Sequence, residues 1–112
     1  MTKDSQIFVG HILTEIEILH QLSARNTILT LFENDIDYRA AIYSIQCISE
    51  AVRSLPPHWT AEFPTIPWQD IKAIGNWTRH QYYGLDQELI WKVMTEDLIP
   101  FQDVVQKLQY RG

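Results

Sequence analysis

The 112-residue sequence predicts an all-α protein, a four- to five-helix up-and-down bundle. Three observations carry that expectation. Apolar residues recur every three or four positions over long stretches, the spacing that lays one stripe along an α-helix. No stretch of useful length alternates apolar and polar residues as a half-buried strand would. Four of the five prolines, Pro56, Pro57, Pro64 and Pro67, fall in one segment, SLPPHWTAEFPTIPW, which leaves the chain on either side free to run as helix.

In the first stretch Ser5 is placed to cap a helix over residues 5–22. Its Phe8, Ile12, Ile16 and Leu19, flanked by Val9, Leu13 and Leu22, follow the helical period. The period breaks over Ser23-Ala24-Arg25-Asn26. Thr27 to Phe32 then form a short apolar turn or helix ending at Glu33-Asn34, with Asp35 as the cap of the next helix. From Ile36 to Leu55 there is neither glycine nor proline. Ala41, Ile45, Ile48, Val52 and Leu55 form one stripe there, and Ala40, Tyr43, Cys47 and Ala51 a flanking one. A helix apolar on two faces either sits at the centre of the bundle or offers a second surface for self-association.

After the proline segment, Pro67 takes the first-turn position that suits its fixed backbone angle. Trp68-Gln69-Asp70 open a helix through Lys72, Ile74, Trp77 and His80 that Gly84 is suited to stop. Asp86 caps a helix with Leu89, Ile90 and Val93 turned inward. Thr95-Glu96-Asp97 restart the chain before Pro100, and Leu98, Phe101, Val104, Val105 and Leu108 share one face of the last helix.

Composition sets the outer limits. A chain of this length supplies one core, so residues 1–112 are read as a single domain. Its 46% hydrophobic and 21% charged residues exclude disordered, collagenous and low-complexity classes. The start MTKDSQIFVGHIL lacks the basic opening and long apolar run of a signal peptide, and no stretch suffices to span a bilayer. A cytoplasmic protein without membrane contact is therefore expected. Cys47 is the single cysteine, which rules out an internal disulfide and a cysteine-built zinc site. The net charge of −5 has the wrong sign for general attraction to phosphates, so any nucleic-acid contact needs a local basic patch.

His11 and His20 lie in the first helix and His58 in the proline segment. None falls in a metal-ligand motif such as HExxH, and no metal or other cofactor is expected. Glycine-rich phosphate loops and the nucleophile elbow are absent as well. This leaves Gly75-Asn76-Trp77-Thr78-Arg79-His80-Gln81-Tyr82-Tyr83-Gly84, where a guanidinium, an imidazole and two phenols crowd near a helix end. A histidine moves protons near neutral pH, and an arginine stabilises charge developing on a phosphoryl group. The same side chains also suit the dipole and packing of a helix terminus, so residue types alone leave both roles open.

The run IPWQDIKAIGNWTRHQYYGLDQELIWKVMTEDLIP, with AAIYSIQCISEAVRSLP upstream, resembles the HepT-like branch of the HEPN superfamily, from about Leu31 to the chain's end. The resemblance rests on the Pro67-Trp68 helix start, the Ser49-Glu50-Ala51 step, the His80-Gln81-Tyr82 triplet and the Gly84-Leu85-Asp86 turn. It implies a HEPN-like α-bundle that forms a homodimer and acts as an endoribonuclease toxin on RNA. The partner would be an MNT-type minimal nucleotidyltransferase antitoxin, in a type VII-like toxin–antitoxin pair. It also implies catalysis at His80 in a dimer cleft and AMP transfer by the partner to Tyr82. Arg79, Trp77 and Tyr83 would contact RNA, the aromatics by stacking, with Lys72 and Arg53 as further basic residues nearby.

The family motif is an arginine, four to six residues, a histidine, one residue and a tyrosine. It matches at His80 and Tyr82 but places its arginine at Gly75. Three readings compete. The chain is a naturally weakened member; or Gly75 is an inactivating substitution; or Arg79, one turn on, swings its guanidinium back into the space Gly75 leaves empty. Two copies of this helix meeting across a dimer axis would also need a glycine there. The alternative to an active toxin is a catalytically inactive subunit that keeps the dimer and its grip on the nucleotidyltransferase.

Overall fold

Helix α1 (Thr2–Ala24) opens the chain and buries one stripe completely, with Val9, Ile12, Ile16 and Leu19 at 0% exposure. The structure, a computed structural model, describes residues 2–80 and 86–109, with side chains described over 5–76 and 86–109. Ser5 is buried inside α1 rather than capping it, because the helix already begins at Thr2. Helix α2 (Ile28–Glu33) starts from a reciprocal cap. Thr27 Oγ1 accepts the Thr30 N–H at 3.2 Å, and Thr30 Oγ1 accepts the Thr27 N–H at 2.8 Å. The next cap is Asn34, not the expected Asp35. Asn34 Oδ1 accepts the Asp37 N–H at 3.1 Å from an extended backbone, while Asp35 is already helical and lends its charge to the positive end of the dipole.

Helix α3 (Asp35–Arg53) is central. Ala41, Ile45, Ile48 and Val52 are buried, joined by Ala51 from the flanking stripe, whereas Tyr43 is exposed and Cys47 half-buried. It stops short of Leu55, because Pro56 disfavours helical angles in the residue before it. Leu55 still reaches the core. The proline segment itself holds a short helix, α4 (Pro57–Ala61), with Pro57 in its first turn and Trp59 folded into the core.

Helix α5 (Trp68–His80) begins after Pro67, whose carbonyl accepts the Ile71 N–H at 3.1 Å. Trp68 is buried, donating from Nε1 to the Phe63 carbonyl at 3.0 Å and standing edge-on to the Phe101 ring at 5.9 Å. The expected stop at Gly84 lies outside the described residues. Asp86 caps α6 (Gln87–Lys92) as expected, its side chain accepting the Leu89 N–H at 3.1 Å. Leu89 is 41% exposed rather than turned fully inward, while Ile90 is buried.

The expected restart at Thr95-Glu96-Asp97 does not occur. The chain passes from α6 through a π-helical turn (Val93–Asp97) directly into α7 (Leu98–Leu108), with the Leu98 N–H reaching back to the Val93 carbonyl. Pro100 supplies the physical reason. Its ring crowds the carbonyl four residues back in a regular α-helix, and a widened turn just before it keeps the chain helical past the ring.

Neighbouring long helices run antiparallel. Arg25 at the end of α1 meets Asp37 at the start of α3, and Arg53 at the end of α3 meets Lys72 near the start of α5. Across α1 and α7, Gln6 Nε2 donates to the Leu108 carbonyl and His20 pairs with Gln102, each at 3.0 Å. The described residues thus form an all-α up-and-down bundle of α1, α3, α5 and the continuous α6–α7, with no strand among them. No helix among the described residues is long and apolar enough to cross a membrane.

One buried charge ties the α1–α3 corner. Arg25 grips Asp37 with two bonds, at 2.7 and 3.1 Å, and Asn26 Nδ2 adds a third at 2.9 Å. The Arg25 guanidinium and the Asn26 amide hold the Asp37 carboxyl below the usual carboxylate range.

Candidate functional site

The candidate motif is carried by α5, so what seats α5 decides where the motif goes. That seat is α3. Ser49 is 1% exposed, and its hydroxyl donates to the Lys72 carbonyl at 2.8 Å. The same carbonyl accepts from Arg53 Nη2 at 2.9 Å. One turn further along, Gly75 faces Ser49 so closely that a Cβ on the glycine would overlap both Oγ and Cβ of the serine. It would also lie 3.9 Å from the Gln46 carbonyl. A helical glycine costs roughly 1 kcal/mol relative to alanine. Here the absent side chain is what lets the two helices touch.

This contact corrects one expectation for Gly75. The space beside it is not empty but filled by Ser49, which leaves no room for an Arg79 guanidinium to fold back there. The close approach it permits within the chain is to α3. An arginine at position 75 would have to displace Ser49 and break its bond to α5. In this chain position 75 is a packing position.

Beyond Gly75, α5 continues through Trp77, Arg79 and His80, whose side chains lie outside the described residues, as do Tyr82 and Tyr83 altogether. The helical period sets positions 73, 76 and 80 on one face, and Ala73 and Asn76 on that face are exposed. The two weaker basic candidates sit elsewhere. Lys72 is half-buried, and Arg53 spends a donor on the Lys72 carbonyl, about 12 Å along the helix from position 80 by its rise of roughly 1.5 Å per residue.

The other titratable candidates have structural surroundings. His11 packs edge-on to Phe8, His20 pairs with Gln102, and His58 lies against Trp59. Among the described residues no three histidine, cysteine or acidic side chains converge as metal ligands. Burial pushes the Cys47 thiol up, away from the thiolate a nucleophile needs. Its hydrogen bond with Tyr43 pushes that phenol up in turn.

Sequence reasoning missed two features here. One is the Ser49–Gly75 seat, whose advance signals are a glycine inside α5 and a small polar residue in the middle of an apolar helix, with nothing in the sequence to pair them. The other is a cavity of about 560 Å³ beside α5, walled by Ile71 and Ile74 on one side and by Val93, Leu98 and Phe101 on the other. No periodicity rule anticipates a gap between two faces that each look like core.

The geometry can be set beside known proteins. The chain is similar over 108 residues, at 28% identity, to a Methanocaldococcus jannaschii protein named as a gamma-glutamylcyclotransferase and candidate RNase; this covers 96% of the chain and 49% of that protein. The chain therefore spans about half the length of that relative. A candidate RNase of Caldanaerobacter subterraneus is 24% identical over 106 residues, covering 95% of each. The "Probable ribonuclease HepT" of Thermococcus cleftensis is 29% identical over 70 residues, 62% of this chain and 64% of that one. No solved structure matches significantly. The family model "Ribonuclease HepT-like" matches residues 12–108, which is nearly the whole bundle, and the chain belongs to the HepT-like ribonuclease family.

Proposed function

We propose that the chain is an endoribonuclease of the HEPN type, working as a homodimer with His80 as its central catalytic group. The observation that carries this reading is the seat of α5. A helix pinned to α3 through Ser49, Gly75 and Arg53 carries position 80 on the same face as Ala73 and Asn76, which are exposed and so open to a second copy or to RNA.

The chemistry uses the substrate's own nucleophile and needs no metal. One imidazole accepts the proton of a ribose 2′-hydroxyl, whose oxygen bonds to the adjacent phosphorus. The bond from phosphorus to the 5′-oxygen breaks, and a second imidazole, from the other protomer, protonates that oxygen. The products are a 2′,3′-cyclic phosphate and a free 5′-hydroxyl. Arg79 stabilises the added negative charge in the transition state. Single-stranded RNA suits the site because its backbone can turn to bring the 2′-oxygen into line. Tyr82 is the position at which a nucleotidyltransferase antitoxin would attach AMP. A bulky anion two residues from His80 would fill the cleft and repel phosphate.

Purified chain is expected to cleave single-stranded RNA, and His80→Ala to lower the rate on the order of a hundredfold or more. Cleavage that survives His80→Ala unchanged refutes the assignment. A second reading is favoured by one observation, the packing role of Gly75, which leaves the motif without its arginine. In that reading the chain is an inactive subunit that binds the nucleotidyltransferase. Partner binding without any RNA cleavage selects it.

A further inference from the structure

The cavity beside α5 lies between the helix that carries the motif and the π turn and first residues of α7. Its walls are aliphatic and aromatic: Ile71 and Ile74 from α5, Ile45 from α3, and Val93, Leu98 and Phe101 opposite. Its volume of about 560 Å³ lies within the roughly 300–1,000 Å³ usual for small-molecule sites. Water in such a space finds few hydrogen-bond partners, whereas an apolar body removes its own surface and that of the walls from solvent.

The charged side chains lining it are two carboxylates, Asp70 and Asp97, and no lysine, arginine or histidine is among its lining residues. Lys92 neutralises part of this by holding Asp97 at 3.2 Å. Asp70 has no such partner among the described residues. A carboxylate or phosphate ligand would meet like charge at the mouth, and a cation would meet opposite charge.

We propose that this cavity is a binding site for a small apolar amine, its hydrocarbon body among Ile71, Ile74, Val93 and Phe101 and its ammonium at Asp70. The site goes beyond the ribonuclease reading and does not depend on it. A ligand there fills the gap between α5 and the π turn and α7, and so restrains the helix on which position 80 stands.

Three matched probes test this on the full chain: 4-phenylbutylamine, 4-phenylbutanol and 4-phenylbutyrate, each followed by thermal shift and calorimetric titration. The amine is expected to raise the melting temperature most and the carboxylate least. Asp70→Asn should weaken the amine about two- to fivefold, the size of a solvent-exposed ion pair, and leave the alcohol unchanged. Val93→Trp, which fills the cavity, should abolish binding of all three; Ile74→Phe serves the same purpose should the tryptophan variant fail to fold. The proposal is overturned if the carboxylate binds as well as the amine, or if binding survives a folded cavity-filling variant. It is also overturned if none of the probes binds, including the case in which a second copy of the chain already covers the cavity and the filling variant splits that dimer.

Discussion

Replacing Gly75 by alanine adds one methyl group at the point where α5 rests on α3. On an isolated helix the change would stabilise by about 1 kcal/mol, because alanine is the better helix former. In this bundle the methyl falls on Ser49, and rotating the serine hydroxyl does not clear it, because the serine Cβ is in the way as well. The contact is overpacked, and Ser49, pushed aside, gives up its bond to the Lys72 carbonyl. Overpacking of this kind costs about 1–3 kcal/mol. A lost buried hydrogen bond adds about 1 kcal/mol. Against the gain in propensity, the net loss is about 2 kcal/mol, a sizeable part of the roughly 5–15 kcal/mol that holds a typical domain together. Urea unfolding followed by circular dichroism should show this, with a melting temperature lower by about 8 °C for a chain of this size. The double variant Ser49→Gly with Gly75→Ala moves the methyl's room to the other helix and should recover at least about 1 kcal/mol relative to the sum of the single changes. Gly75→Ala as stable as the parent, or strict additivity in the double variant, would refute the packing role assigned to Gly75.

Three further outcomes are expected on the same structural grounds. Gly75→Arg, which would complete the family motif on paper, should lower the melting temperature further than Gly75→Ala and bring no gain in RNA cleavage per folded molecule. Asn34→Ala removes the cap of α3 and should cost about 1 kcal/mol in urea unfolding, whereas Asp35→Ala, which removes only a first-turn charge, should cost less. The third concerns acid. Asp37 has its carboxyl lowered in the folded state, so the stability it contributes is fully present above the unfolded carboxyl value of about 3.9 and is lost as pH falls through the lower folded value. Parent and Asp37→Asn should therefore differ most in melting temperature near neutral pH and converge as pH drops from about 5 towards 2; a constant gap across that range would show that the clasp with Arg25 is not what the charge serves.

The parts of this fold that were legible in the sequence are those decided by local chemistry. The stripes of α1 and α3 follow from apolar spacing, and Asp86 announces its cap because an aspartate before an apolar run has few other uses there. Less legible were features settled by competition between near neighbours. Asn34 and Asp35 can both cap, and only the backbone decides that Asn34 does. Pro100 reads as a break because the usual helix cannot hold it, yet a π turn can. The proline segment reads as loop because its spacing is irregular, although Pro57 is well suited to start the short helix that carries Trp59 inward. For the site, the motif residues announce themselves by type, while the support beneath them does not. Ser49 is a modest residue in a long apolar helix, and its importance appears only when another helix is laid across it.

That support changes how the departure from the family motif is to be understood. Read along the chain, Gly75 is a missing charge. Read in space, it is the contact that fixes the helix bearing His80, and the two demands exclude each other at one position, since a guanidinium there must evict Ser49. If the chain cleaves RNA, its transition-state charge has to be met by another group, and Arg79 is the basic residue nearest to His80 in the sequence. Arg79→Ala therefore separates the possibilities more cleanly than any change at position 75. A loss of cleavage of about a hundredfold with an unchanged urea midpoint would mean that the charge has moved one turn along the helix while the packing stayed behind. Cleavage that persists in Arg79→Ala would mean that this bundle stabilises its transition state without an arginine from the motif helix at all.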